Sequence, residues 1–120
     1  SRLAIATPYL DEINRLEAEY LKYAGFETVN LQGMNIERDS DMVRVSPDFI
    51  KEFAMQVDRS DADTLFISCG ALRSLDIVDE LEQAVGKPVI VSNQAMIWDT
   101  LRLAGIDDKI EGCGRLLRDF

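Results

Sequence analysis

Short apolar runs alternate along the chain with stretches in which apolar residues return every three or four positions, the pattern of strands alternating with helices. Residues 2–7 (RLAIAT) read as a strand ending at Pro8. Leu10, Ile13, Leu16, Tyr20, Leu21 and Ala24 then mark one face of a helix, with Asp11 and Glu12 at its start and Gly25 past its end. Residues 26–32 read as a second strand, and the polar stretch 33–44 as a long loop. Ser46-Pro47-Asp48 is a helix start: a capping hydroxyl, a proline at the first helical position, an early acid. Phe49, Ile50, Phe53, Ala54 and Val57 supply that helix with a buried stripe. Residues 64–68 (TLFIS) predict a central buried strand, and Leu75, Val78, Leu81 and Val85 a helix closed by Gly86. Residues 88–92 (PVIVS) and 94–104 predict a fourth strand and a fourth helix, the helix packed on the sheet by Ile97, Trp98 and Leu101. The tail 106–120 is expected to be irregular and to pack on something outside this chain.

Four βα units in series predict one α/β domain over residues 1–120, a three-layer fold with a four-stranded parallel sheet and helices on both faces. A flavodoxin-like order 2-1-3-4 is the expected one. Ligands of such sheets bind beyond the carboxyl ends of the strands, here the loops at 7–10, 33–44, 69–74 and 92–94.

Composition narrows the chemistry. The 120 residues are 47% hydrophobic, enough for one real core. Thirteen basic and twenty-two acidic residues give a net charge of −9, which disfavours nucleic acid and anionic membranes as partners. The chain has no histidine, so imidazole catalysis and the commonest zinc ligand are excluded, and no metal or cofactor motif stands in the sequence. Cys69 and Cys113 form neither a metal spacing nor a disulfide framework, and a reducing cytoplasm is the expected setting. No apolar run approaches membrane-spanning length. A chain that opens on Ser1 and enters a strand at once is expected to be a fragment or a processed product, although simple removal of Met would look the same.

Cys69 is the candidate reactive residue. It follows the central strand directly, where turn amides and the next helix favour a thiolate, and Gly70 lets the backbone approach a ligand closely. The competing reading, of about equal weight from the residues alone, is a small buried hydrophobe at a strand end. Cys69 and Arg73 are four positions apart, too close for a cysteine-phosphatase cradle. Tyr9, in the loop after the first strand, is placed to hydrogen-bond a substrate oxygen over the same pocket, or to serve as an aromatic lid. Cys113 reads as structural.

Five segments in register, RLAIATPYL at 2–10, SCGALRSLD at 68–76, GKPVIVS at 86–92, WDTLRLAG at 98–105 and GCGRL at 112–116, resemble the second half of certain enzymes. These are the arylmalonate decarboxylases and maleate cis–trans isomerases of the aspartate/glutamate racemase superfamily. The resemblance implies a cofactor-independent enzyme with its active site in a cleft between two similar halves, the first of which has no counterpart here. It implies Cys69 as the catalytic cysteine, Tyr9 as a ligand of a substrate carboxylate, and Gly70 in the turn facing that group. The loop 33–44 corresponds to a pocket-lining segment, which makes Asp39 and Met42 candidate substrate contacts. Its polarity departs from an aryl pocket and favours a small carboxylate or dicarboxylate, with Arg38 or Arg73 as charge partner. The implied reaction is decarboxylation or isomerisation through an enediolate or a cysteine adduct, Cys69 acting as general acid. An amino-acid racemase and a catalytically idle fragment or binding module remain the alternatives. Half a cleft is expected to be nearly inactive alone, to bind the missing N-terminal half over an apolar surface, and to be compatible with a homo-oligomer.

Overall fold

The computed structural model describes residues 1–120. Four parallel strands, β1 (Arg2–Thr7), β2 (Glu27–Gly33), β3 (Thr64–Ile67) and β4 (Val89–Val91), form one sheet, as the alternation predicts, in the expected flavodoxin-like order β2-β1-β3-β4. Thr7 pairs with Gly33 and Ala6 with Ile67, so the carboxyl ends of β1, β2 and β3 finish level at one edge.

The helices are α1 (Asp11–Tyr23), α2 (Asp39–Met42), α3 (Pro47–Val57), α4 (Val78–Val85), α5 (Ser92–Leu103) and α6 (Arg115–Asp119). A 3₁₀ turn, Leu75–Ile77, leads into α4. The Ser46 hydroxyl accepts the Phe49 amide at 3.2 Å, as expected of an N-cap, and Gly86 closes α4 in the left-handed conformation. Period two in the strands sends Ala4, Ala6, Leu65, Ile67, Val89 and Val91 to the α3 and α4 side, where they meet Ile50, Ala54, Val57, Val78 and Leu81 in a closed core.

The other face is less complete. Leu3, Phe66 and Ile90 line an open apolar groove of about 290 Å³ together with Leu21 and Phe26. Most of the expected stripe of α1 does not face the sheet: Leu16 is 59% and Tyr20 69% exposed, and Ile13 is also exposed, leaving Leu21 as the member that lines the groove. The helix turns Asn14 inward instead, because Thr7 offers it a hydrogen bond that no apolar side chain could make.

Several other expectations change. The loop 33–44 contains the short helix α2, which buries Met42. Phe49 lies outside the core, stacked on Phe53 at 6.2 Å. Residues 92–93 belong to the first turn of α5 rather than to a loop, and Ile97 on that helix is exposed while Arg102 covers the Trp98 ring. The tail is not irregular throughout: α6 buries Leu117, and the Gly114 and Arg115 amides donate to Asp79 and Glu82 of α4. It packs on this chain. No helix is long and apolar enough to cross a membrane.

Candidate active site

Adjacent strands place Tyr9 and Cys69 side by side, since β1 ends at Thr7 and β3 at Ile67 in matched register. The Tyr9 loop is fixed on its other side by the loop after β2. Met34 and Ile36 donate amide protons to Thr7 and Pro8, and Asn35 to Tyr9, extending the ladder past the strand ends. Gly33 is required there: a Cβ would collide with the Tyr9 carbonyl and the Asn14 side chain.

Cys69 is buried and holds a φ of 100°, a left-handed conformation that a non-glycine residue rarely adopts. Such strain costs roughly 1–3 kcal/mol and persists where the surroundings fix it, often at functional sites. Here the Ser92 hydroxyl accepts the Cys69 amide at 3.0 Å, and the Leu72 amide donates to the Cys69 carbonyl. The Cys69 amide is therefore occupied within the chain and is not free to face a ligand. The Ala71 amide donates to Sγ at 3.3 Å, while the Gly70 amide makes no bond within the chain. Because α4 begins only at Val78, after the 3₁₀ turn, the local amide of Ala71 supports the sulfur more directly than a helix dipole does.

Tyr9 is held firmly protonated. Burial pushes its phenol up to about 12; the neighbouring Cys69 adds to the rise by hydrogen bonding and by charge, Ser68 opposes it, and the charge of Glu17 adds a little. Its hydroxyl is thus a donor across the working pH range. Ser68 donates to the Glu17 carboxylate at 2.9 Å, and burial holds that carboxyl above its ordinary range, opposed by the same hydrogen bond.

Met42 meets the cysteine sulfur at 3.8 Å. An open cavity of about 340 Å³ joins Tyr9, Asp39 and Met42 with Leu10, Ile13, Ile36 and Glu37. Gly70 stands to one side, its carbonyl accepting the Asn93 side-chain amide. Neither proposed charge partner lines this cavity: Arg38 precedes α2 as its N-cap residue, and Arg73 is exposed and paired with Asp76. Cys113 lies in the tail, its carbonyl held by Gln94, and shares no cavity or hydrogen bond with Cys69.

The sequence reading missed Asn14, Glu17, Ser68 and Ser92. Asn14 and Glu17 are polar residues three apart on α1, one helical turn beneath the site, and that spacing was the available signal. Ser68 and Ser92 were readable only as strand ends.

The family model described as arylmalonate decarboxylase matches residues 1–117. Arylmalonate decarboxylase of Bordetella bronchiseptica is 33% identical over 118 residues, covering 96% of this chain and 49% of that protein. Maleate isomerase of Nocardia farcinica (strain IFM 10152) is 28% identical over 118 residues, covering 98% and 47%. Among solved structures, a liganded double variant of arylmalonate decarboxylase superposes with a TM-score of 0.94 at 31% identity, covering 99% of this chain and 52% of that one. The Nocardia farcinica maleate cis–trans isomerase carrying a covalently bound succinylcysteine intermediate superposes with a TM-score of 0.95 at 25% identity, covering 100% and 49%. The chain spans about half the length of the curated relatives it matches.

Proposed function

The chain belongs to the arylmalonate decarboxylase family, and from that premise we propose that it forms the second half of a cofactor-independent decarboxylase or isomerase of small dicarboxylates, with Cys69 as general acid. The observation that carries this reading is the pairing of a strained, buried Cys69 with a protonated Tyr9 at one edge of the sheet.

Loss of CO₂ from a malonate breaks a C–C bond and leaves its electron pair on the α-carbon. The pair spreads into the remaining carboxylate as an enediolate, and donors aimed at that oxygen charge lower the barrier, by roughly 3–4 kcal/mol for each well-placed donor. The Tyr9 hydroxyl and the Gly70 amide, which has no partner in the chain, are the donors this half offers. Cys69 then gives its thiol proton to the α-carbon, forming the new C–H bond, and the thiolate regains a proton from water. The cavity beside Met42 and Ile36 takes the apolar substituent. Glu37 and Asp39 on its rim repel a second carboxylate there, which directs both carboxylates toward Tyr9 and Gly70.

The resemblance to maleate isomerases favours a second reading, cis–trans isomerisation, in which a cysteine of the other half adds to the double bond and Cys69 assists. The test uses the complete parent protein and its Cys69→Ala variant on phenylmalonate, methylmalonate, maleate and aspartate. Turnover of a malonate or of maleate that is lost in the variant supports the reading. Turnover of aspartate alone, or turnover that survives Cys69→Ala, contradicts it.

A further inference from the structure

The first turn of α5 reaches across to the turn that carries Cys69. Asn93, the second residue of that helix, donates from Nδ2 to the Gly70 carbonyl at 3.1 Å, and the Ser92 hydroxyl accepts the Cys69 amide at 3.0 Å. Both bonds span 23 positions of sequence, so the fold makes them rather than the local chain.

Three successive peptide units make this turn. Each is planar and trans, with its carbonyl and its N–H pointing in opposite directions, so one contact sets the aim of both groups. The Ser68–Cys69 unit is set by Ser92 through the Cys69 amide. The Cys69–Gly70 unit is set by the Leu72 amide on the Cys69 carbonyl, which turns the unbonded Gly70 N–H the other way. The Gly70–Ala71 unit is set by Asn93. With its carbonyl drawn toward α5, the Ala71 N–H faces away from that helix, and there it donates to the Cys69 sulfur at 3.3 Å.

We propose that Asn93 is a positioning residue: by holding the Gly70 carbonyl it aims the Ala71 N–H at the Cys69 sulfur, where negative charge appears as the thiol gives up its proton. A donor already directed at that point stabilises the charge without reorganising at the moment of transfer, and a hydrogen bond strengthens when its acceptor becomes ionised. The same contact gives a reason for glycine at position 70. A Cβ there would stand 3.1 Å from Asn93 Oδ1 and crowd the side-chain amide that holds the carbonyl. The consequence for turnover rests on the reading of Cys69 as the proton donor; the aiming of the Ala71 amide does not.

The test reads the Ala71 amide directly, by backbone-amide NMR of the full 120-residue chain and its Asn93→Asp and Asn93→Ala variants, each with and without Cys69→Ala. Aspartate keeps the shape of asparagine without its donor, and an acid in the first turn favours a helix, so α5 is not weakened. Alanine removes the donor and adds no charge, and it decides the matter should Asn93→Asp fold poorly. The inference predicts that the Ala71 amide proton moves upfield in both variants, while the Cys69 and Leu72 amides, held by other partners, stay in place. It also predicts coupling: Cys69→Ala shifts the Ala71 proton in the native chain and leaves it unmoved once Asn93 is replaced. Equal responses to Cys69→Ala in both backgrounds overturn the inference, and so does a change seen in Asn93→Asp alone, which marks an effect of the added charge. In the complete parent protein, kcat should fall about tenfold in both variants with KM little changed, because Tyr9 and the Gly70 amide remain in place. A native kcat in Asn93→Ala overturns the part of Asn93 in turnover. The NMR needs no substrate, so the two readings fail separately: coupled shifts without turnover by the complete protein count against the enzyme, and turnover with uncoupled shifts counts against Asn93.

Discussion

Each face of the sheet holds a glutamate, Glu82 buried and Glu17 half-buried, and treats it differently. Glu82, on the α4 side, accepts the Val89 amide at 3.0 Å on one oxygen and the Arg115 amide at 3.0 Å on the other. Both acceptors are used, and the residue fastens β4 and the tail to α4. Glu17, on the α1 side, has one oxygen on Ser68 and one buried and unpaired. The flanking helices differ in the same sense. The α3 helix buries Ile50, Ala54 and Val57 against the sheet, while α1 turns Asn14 inward and leaves Leu16, Tyr20 and Tyr23 in solvent. A face whose buried glutamate is paired on both oxygens and whose helices bury their apolar stripes is finished structure. A face with an orphaned carboxylate oxygen and an exposed apolar stripe is organised around something further, and it is the face on which the Tyr9–Cys69 edge depends.

The largest effect that separates the faces is expected from truncation of the closed core. Ile50→Ala opens a cavity beneath the sheet and should cost about 2–5 kcal/mol, read from urea unfolding. A cost under about 1 kcal/mol would mean that this face is less tightly packed than its burial implies.

A second effect depends on pH. Burial raises the Glu17 carboxyl above its unfolded value, so the fold binds that proton more tightly than the unfolded chain does. Its contribution to stability is fully present below the ordinary glutamate range and is lost as pH rises through the raised value. Urea midpoints followed from about pH 5 to about pH 8 should therefore fall in the native chain relative to Glu17→Gln. Parallel curves would show that Glu17 has an ordinary environment.

The smallest effect is expected on the exposed stripe. Leu16→Ser and Tyr20→Ser should change chain stability by no more than about 0.5 kcal/mol, since neither side chain is packed. The same pair should reduce self-association of the isolated chain in sedimentation, because an apolar stripe in water is an adhesive surface. A large loss of stability would place the stripe in the core after all.

This contrast also explains what was legible in the sequence. On the α3 side, apolar periodicity and burial coincide, so the Ser46 cap and most of the stripe could be read directly; the strand order was expected from the flavodoxin-like pattern, since periodicity does not encode it. On the α1 side, the period was correct and its phase was not. The apolar residues mark a surface, and the inward residues are polar because they serve the strand ends. Tyr9 and Cys69 were visible as loop residues of adjacent strands, and with Met42 they do come together. The Ser92 contact that occupies the Cys69 amide joins residues 23 positions apart, a pairing that no local pattern encodes. The positive φ of Cys69 was equally hidden, because nothing local demands it.

The central claim is that Cys69 delivers the product proton. Its most direct test is turnover of a 2-substituted malonate by the complete parent protein in deuterated water, compared with Cys69→Ser, in which a much weaker acid replaces the thiol. The account predicts a product carrying deuterium at the α-carbon in a single configuration, and a loss of roughly 10²–10⁴-fold in kcat in the variant. A variant that keeps the native rate and the native configuration would contradict it.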